Sequence, residues 1–357
     1  MLAAMTGVTL QELGGWPGVL GTLTGGRDLE AGQAAAAMAE ILDGNATSAQ
    51  VAGFIVALRM KGETVAELTG LVSAMVARSA PVRLAHPDGV IDLVGTGGDR
   101  SRSINVSTLA ALTVVGAGGR VCKHGNRAAS SACGTADLLE ELGVAFDLGP
   151  EGVARCVDTV DFGFCFAPRF HGAMRHAGPT RKELGVPTVF NFLGPLANPA
   201  RVRRQVTGVA DPAMAERMVQ VLAANGAERA LVVYGHDGLD ELTVTTTSTV
   251  HELRDGEVRT YDVDPGALGL AGGTLDDLRG GDAATNARLA HQILAGTPGP
   301  QADIVALNAA AGLVAAGLVE DLATGVDAAR SSLVDGQAAA ALEAVITESQ
   351  AARTAGL

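Results

Sequence analysis

The sequence predicts an α/β protein: a small N-terminal helical domain joined to a larger α/β domain with a central, mostly parallel sheet. Three observations carry this. Residues 8 to about 80 show only helical periodicity; from about residue 90, short apolar strands alternate with helices; from about Asp282 the chain returns to helices. Strands separated by helices read as crossover units, which build parallel sheets. A length of 357 residues fits one large or two ordinary domains.

The elements follow in order. The start, "MLAAMTGVTLQELGG", has no basic leader region and reaches Gln11 and Glu12 early, so no signal peptide is expected. "DLEAGQAAAAMAEILDG" reads as a helix closed by Gly44. "TSAQVAGFIVALRMKG" puts Val51, Phe54, Ile55 and Leu58 on one face, with Thr47 or Ser48 as its N-cap. "TVAELTGLVSAMVARS" opens with Thr64 and Glu67 at capping-box spacing. "PVRLAHPDG" breaks the helical pattern. Beyond it come strand "VIDLV", a glycine-rich turn, helix "STLAALTVVGAGG", strand "RVCKH", helix "TADLLEELG", strand "VAFDL", helix "PEGVARCVDTV" and strand "GFCFA". "VTGVA", "MAERMVQVLAANG" and "RALVVYG" continue the alternation, and "STVHELRDGEVRTYDV" reads as a hairpin turning at Asp255-Gly256. "DAATNARLAHQILAG", "ADIVALNAAAGLVAAG" and "LVEDLATGVDAARSSLVDG" are the closing helices.

Composition narrows the function. Hydrophobic residues make up 47% and aromatics 3%, so Ala, Val, Leu and Gly must fill the core. A net charge of −13 repels nucleic acid and anionic membrane; an anionic ligand needs a local basic pocket or metal ions. Cys122, Cys133, Cys156 and Cys165 show no C-x-x-C spacing and read as reduced, mostly buried thiols of a cytoplasmic protein. No apolar run approaches the ~20 residues of a membrane span.

Two strand-to-helix corners carry the chemistry. "VIDLV" ends in Gly95-Thr96-Gly97-Gly98-Asp99, where glycines let backbone N–H groups approach an anion and a helix begins near Ser107. Asp99, Asn105, Ser107 and Thr108 cluster there, although Ser107 could simply cap the helix. The spacing is neither G-x-x-x-x-G-K-[ST] nor G-x-G-x-x-G, since Arg100 stands three beyond Gly97. In "KHGNRAASSACGTADLLEELG", strand "RVCKH" delivers Lys123 and His124 to the same sheet edge. Ala128 to Ala132 leave little bulk over the backbone, and a second helix starts near Thr135. Two adjacent anion sites suggest one ligand with phosphates at both ends, Lys123 serving as a point charge. Asp240 and Glu241, consecutive acids at a loop end, can turn toward one Mg²⁺. His171, Arg175 and Arg181 lie near a helix broken at Pro179, and either arginine could fork onto a carboxylate.

"GTGGD", "INVST", "KHGNRAASS…GTADLLEELG", "FGFCFAPRFH", "TVFNFLGPLANP" and "GLDEL" together resemble anthranilate phosphoribosyltransferases, in order from about Leu10 to about Ala340. The resemblance implies a nucleoside phosphorylase-like architecture, with residues 1–82 and 171–197 as helical domain, 83–170 and 198–357 as α/β domain, and a homodimer through the helical part. It implies transfer of the 5-phosphoribosyl group from 5-phosphoribosyl-1-diphosphate to the amine of anthranilate in tryptophan biosynthesis, with two Mg²⁺ ions. By position, Gly95, Gly98, Asp99, Ser103, Asn105, Ser107, Thr108 and Thr135 should hold the donor. So should Lys123, His124, Gly125, Asn126, Arg127, Ala128, Ala129, Ser130 and Ser131. Lys123 and Asn126 take the catalytic positions. Gly95, Asn126, His171, Arg181 and Pro195 should receive anthranilate. Ser107, Asp240 and Glu241 should reach the metal. The sequence departs from the usual family text at Arg100 and Gly172, where Gly and Pro are common, and at Pro187, where Arg is common; Ser103 keeps a hydroxyl where Thr is usual. Three rivals share parts of the pattern: a pyrimidine-nucleoside phosphorylase, a non-catalytic nucleic-acid-binding relative, and a transferase using another aromatic acceptor.

Overall fold

The computed structural model describes residues 7–128 and 132–357. Four helices come first: α1 (Gly15–Thr24), α2 (Ala31–Leu42), α3 (Ser48–Lys61) and α4 (Val65–Ala77). Thr47 caps α3 by accepting from the Gln50 N–H, and Thr64 caps α4 in a reciprocal box with Glu67. The α/β part then runs β1 (Val90–Gly95), α5 (Val106–Gly116), β2 (Arg120–Gly125), α6 (Thr135–Glu141), α7 (Pro150–Val160) and β3 (Phe162–Phe166). Short helices α8 (Ala167–Phe170), α9 (Gly178–Leu184) and α10 (Phe190–Leu193) follow. Next are β4 (Arg204–Gly208), α11 (Pro212–Ala224), β5 (Arg229–Gly235), β6 (Ser248–Arg254) and β7 (Glu257–Val263). The chain closes with α12 (Ala283–Leu294), α13 (Pro300–Ala316), α14 (Leu322–Val334) and α15 (Gln337–Thr354).

The seven strands form one sheet in the order β3-β2-β1-β4-β5-β6-β7. The first five run parallel and the β5-β6-β7 edge is antiparallel. Asp255 (φ 53°) and Gly256 (φ 81°) turn the β6–β7 hairpin, both in the left-handed region that a tight two-residue turn requires.

Side-chain alternation along the strands divides the core. Leu231 and Val233 face a cluster formed with α5 and α12 to α14; Ala230 and Val232 face a second cluster with α11. That second cluster continues into α1 to α4 and takes in Ala177, Val189, Phe190, Phe192, Leu193, Leu196 and Ala197. The apolar residues of 177–197 therefore pack with the helical bundle. All four cysteines are buried and none forms a disulfide. No helix among the described residues is long and apolar enough to cross a membrane.

Two expectations need correction. Residues 144–148 are not a strand: Val144, Phe146 and Leu148 are buried, but the backbone joins no ladder. The Ala145 N–H donates to Ser349 Oγ, and the Gly143 carbonyl accepts from Gln350. Side chains of α15 thus satisfy backbone groups that a neighbouring strand would otherwise take. Nor does Pro179 break a helix. It stands in the first turn of α9, where its missing N–H costs no hydrogen bond.

Candidate functional site

The C-terminal ends of β1, β2 and β4 meet at one edge, where open α/β sheets place their ligands. The Gly97 N–H donates to Asp240 Oδ2 at 2.7 Å, so the loop after β5 closes over the first corner. That closeness explains two glycines. A Cβ at Gly95 would lie 2.4 Å from Asp240 Oδ2, and one at Gly208 would lie 1.6 Å from the Asp240 carbonyl oxygen. Gly208→Ala should therefore displace the Asp240 loop and destabilise the protein by about 3 kcal/mol or more, read by urea denaturation. A wild-type midpoint would show that the loop has room.

An acidic cluster lies beneath this edge. Asp240, 8% exposed, has its carboxyl raised to about 7, first by burial and then by the charge of Asp99. Glu241 is raised well above its ordinary value by burial and by Asp240, while Lys123 and the Ser107 N–H act the other way. Asp92 is raised to about 6 by burial, with Lys123 opposing.

Lys123 is 1% exposed. Its Nζ donates to the Leu93 carbonyl and to Ser107 Oγ at 3.1 Å. Burial lowers its pKa, while Asp92, Glu241 and Asp240 raise it. The ammonium stands behind the first turn of α5 rather than in solvent. Successive strand residues point to opposite faces, so His124 turns toward segment 171–197. Its Nδ1 lies 3.2 Å from the Gly194 carbonyl, and its ring centroid is 5.0 Å from that of His171. Both rings are buried, and neither Nε2 has a partner among the described residues. Burial lowers the pKa of His124 to about 3 and of His171 to about 4, so both are neutral at pH 7.

The second corner abuts the first. Thr108 Oγ1 donates to Thr135 Oγ1 at 3.4 Å, joining the first turns of α5 and α6. Asn105 Nδ2 donates to the Cys133 carbonyl at 3.1 Å and its Oδ1 accepts from Asn286 at 2.9 Å. Ser107 lies inside the first turn of α5; the capping position is Asn105. Ser103 pairs with Arg279 in an antiparallel bridge. Gly98 has φ 86° in the same loop. Gly125 packs against Phe164 and Thr135, and the Asn126 side chain accepts from the Arg127 N–H. Arg127 is turned away: its guanidinium bonds Asp137 at 2.7 Å and Glu140 at 2.8 Å and lies over the Phe146 ring. The Ala128 N–H is likewise taken by Asp137. Ala129, Ser130 and Ser131 lie outside the described residues.

Segment 171–197 supplies the other wall. Arg181 stacks over Phe190 with 5.0 Å from guanidinium carbon to ring centroid. Burial lowers its pKa, and no carboxylate pairs with it among the described residues. A half-buried cation without a counter-ion is a place for an anion. Arg175 is exposed and donates to its neighbour Gly172's carbonyl. Pro195 is buried, its carbonyl accepting from Gln205.

Sequence reasoning missed a supporting trio. Asp92 accepts from the His124 N–H and from Asn198 Nδ2, which also donates to the Cys122 carbonyl, tying β1 and β2 to the end of segment 171–197. Asn286, from α12, holds Asn105 and the Gly281 N–H. The signal was an acid inside the apolar run "VIDLV" and an asparagine inside "GPLANP".

The donor set suits a hard divalent cation. Asp99, Asp240 and Glu241 offer oxygen ligands whose mutual repulsion a cation would relieve. No three acidic, histidine or cysteine side chains among the described residues close a metal site by themselves. Further ligands would have to come from water or substrate phosphates, the usual arrangement for Mg²⁺.

Comparison with known proteins agrees with this layout. Residues 17–79 match the helical bundle domain of a glycosyl transferase family, and residues 87–339 match its a/b domain. Anthranilate phosphoribosyltransferase of Rhodococcus jostii is 55% identical over 335 residues, covering 92% of this chain and 91% of its own. The crystal structure of the Thermus thermophilus enzyme of that name superposes with a TM-score of 0.88 at 42% identity, over 93% of this chain and 99% of that one. The Saccharomyces cerevisiae enzyme, solved in complex with PRPP and Mg, gives 0.86 at 28% identity, over 94% and 98%. The same yeast enzyme has been solved in complex with 4-fluoroanthranilate, giving 0.84 at 27% identity over 94% and 98%. On its motifs, its fold and these similarities, the chain belongs to the anthranilate phosphoribosyltransferase family.

Proposed function

We propose that the paired corners bind 5-phosphoribosyl-1-diphosphate and that segment 171–197 presents anthranilate to its anomeric carbon, yielding N-(5-phosphoribosyl)anthranilate and diphosphate. The observation that carries this is the meeting of Glu241, Lys123 and Ser107 under the first turn of α5, with Asp240 clasping the glycine loop above. Asp240, Glu241 and Ser107 would hold Mg²⁺, two ions by family resemblance. When bound, the metal supplies positive charge against the departing diphosphate. Gly95, Gly98, Asp99, Ser103, Asn105, Thr108 and Thr135 line the donor's path, with Asn126 between donor and acceptor.

The acceptor amine is neutral and already nucleophilic, so the residues' work is orientation and charge. His124 and His171 are held neutral by burial and offer unpartnered ring nitrogens rather than charge. Arg181 takes the anthranilate carboxylate, with Pro195 beside the ring. Arg181→Ala should raise the Michaelis constant for anthranilate about 30-fold or more and that for the donor little. An unmoved anthranilate constant would remove Arg181 from this role. We further propose that residues 1–82 move with 171–197 against the rest of the chain to shut water out, and that the protein is a cytoplasmic homodimer joined through its helices.

The test is loss of anthranilate fluorescence on adding donor and Mg²⁺. A folded protein that leaves the fluorescence unchanged overturns the reading.

A further inference from the structure

We propose that Arg100 and Arg102 form an electrostatic capture pair that draws the polyanionic donor to the site, an inference that rests on the donor reading above. The problem they answer is the site's own charge. The chain carries −13 overall. Asp92, Asp99, Asp240 and Glu241 crowd the edge, with Lys123 as the cation buried among them. Arg127, the cation of the second corner, is already neutralised by Asp137 and Glu140. An approaching polyphosphate meets a protein of net negative charge, with a buried acidic cluster behind the first corner.

Arg100 and Arg102 are exposed on the first corner, and neither guanidinium has an ion-pair, hydrogen-bond or ring partner among the described residues. Both stand in the left-handed backbone region, at φ 61° and 58°, following Gly97 (66°) and Gly98 (86°). Glycine would occupy either position without steric cost, so the sequence keeps arginine there against its backbone preference. The loop is fixed in this shape. The Ser101 N–H donates to Asp99 Oδ1, the Ser103 N–H to Ser101 Oγ, and the Gly280 N–H to the Arg102 carbonyl. Arg100 directly follows Asp99, so its charge lies within about one Debye length, ~10 Å at 0.1 M salt, of the cluster. Unpaired charge at the mouth of a site raises capture of an opposite charge and does so less as salt rises.

The test is kcat/KM for the donor against ionic strength, for wild type, Arg100→Gly/Arg102→Ser and the control Arg83→Ser. Arg83 is exposed and precedes β1, toward the opposite end of the strands. At 10 mM ionic strength the double variant should fall about tenfold below wild type; at 0.5 M the two should agree within about twofold. Turnover at saturating donor and the anthranilate constant should stay within about twofold, thermal unfolding should be no lower, and Arg83→Ser should track wild type throughout. A deficit that persists at 0.5 M, or a fall in turnover, would mean the arginines shape the loop and do not steer. Salt curves shared by wild type and the double variant would equally overturn capture. Failure of the donor reading itself looks different: wild type would make no product at any donor concentration, and capture would fall with it.

Discussion

Replacing Lys123 with methionine is expected to lower turnover by ~10²–10³ at saturating substrates, the usual cost of removing one charge-stabilising donor from a transition state. The reaction separates a diphosphate from a sugar carbon that becomes cation-like, so its main demand is positive charge on the leaving side. On the proposed reading Lys123 supplies that charge from behind Ser107, amid Asp92, Asp240 and Glu241. Methionine has similar reach but no charge, so the change isolates the electrostatic part. It also leaves the carboxylates without their buried cation, which by itself costs about 3–5 kcal/mol where an ion pair is broken. Protonation of Asp92 or Asp240, already poised at about 6 and about 7, offsets part of that loss. Steady-state rates should therefore be measured with denaturant curves under the same conditions. A folded Lys123→Met protein turning over within threefold of wild type would remove this residue from the chemistry.

The corners around Gly95–Asp99 and Lys123–Thr135 could be read from sequence because their signals are local. Glycines, small residues and a helix start lie within a dozen positions of one another. The Thr64–Glu67 box and the Asp255-Gly256 turn are local in the same sense. What escaped depends on distant partners. Asp92 meets Asn198 across 106 positions, and Asn105 meets Asn286 across 181. Val144–Leu148 has strand-like composition, but α15 satisfies its backbone from two hundred residues away. α15 itself is rich in alanine and buries only a narrow stripe, Ala338, Leu342, Val345, Ser349 and Ala352. The inward turn of Lys123 and the outward pairing of Arg127 also depend on which acids the fold brings near each, and spacing along the chain does not show that.

Stability in a chelator should fall as pH rises above about 6.5, and Mg²⁺ should restore it. Asp240, Asp92 and Glu241 all have raised folded pKa values, so the folded protein keeps protons that the unfolded chain, with carboxyls near 4, has released. Wherever the native state binds more protons, stability declines with rising pH. His124 and His171 have the opposite sign. Their folded values of about 3 and about 4 lie below the unfolded 6.5, so they weaken the fold as pH falls below 6.5. Between about 4 and 6.5 the two sets oppose each other and the net slope is small. Above 6.5 the histidines approach neutrality in both states and the raised carboxyls weaken the fold, while Lys123, whose folded pKa burial lowers, acts with the opposite sign. The expected loss from pH 6.5 to 8 is about 1 kcal/mol from Asp240 and Asp92, at 1.36 kcal/mol per fully engaged proton per pH unit, with Glu241 adding to it and Lys123 opposing it. Mg²⁺ binds the deprotonated acids, so its stabilisation should grow over the same interval. Asp240→Asn keeps an oxygen for the Gly97 N–H while removing the titration; combined with Glu241→Gln it should flatten the slope and abolish the metal's effect. An unchanged slope in that double variant, or Mg²⁺ protection that ignores pH, would show that these acids neither repel one another nor await a cation.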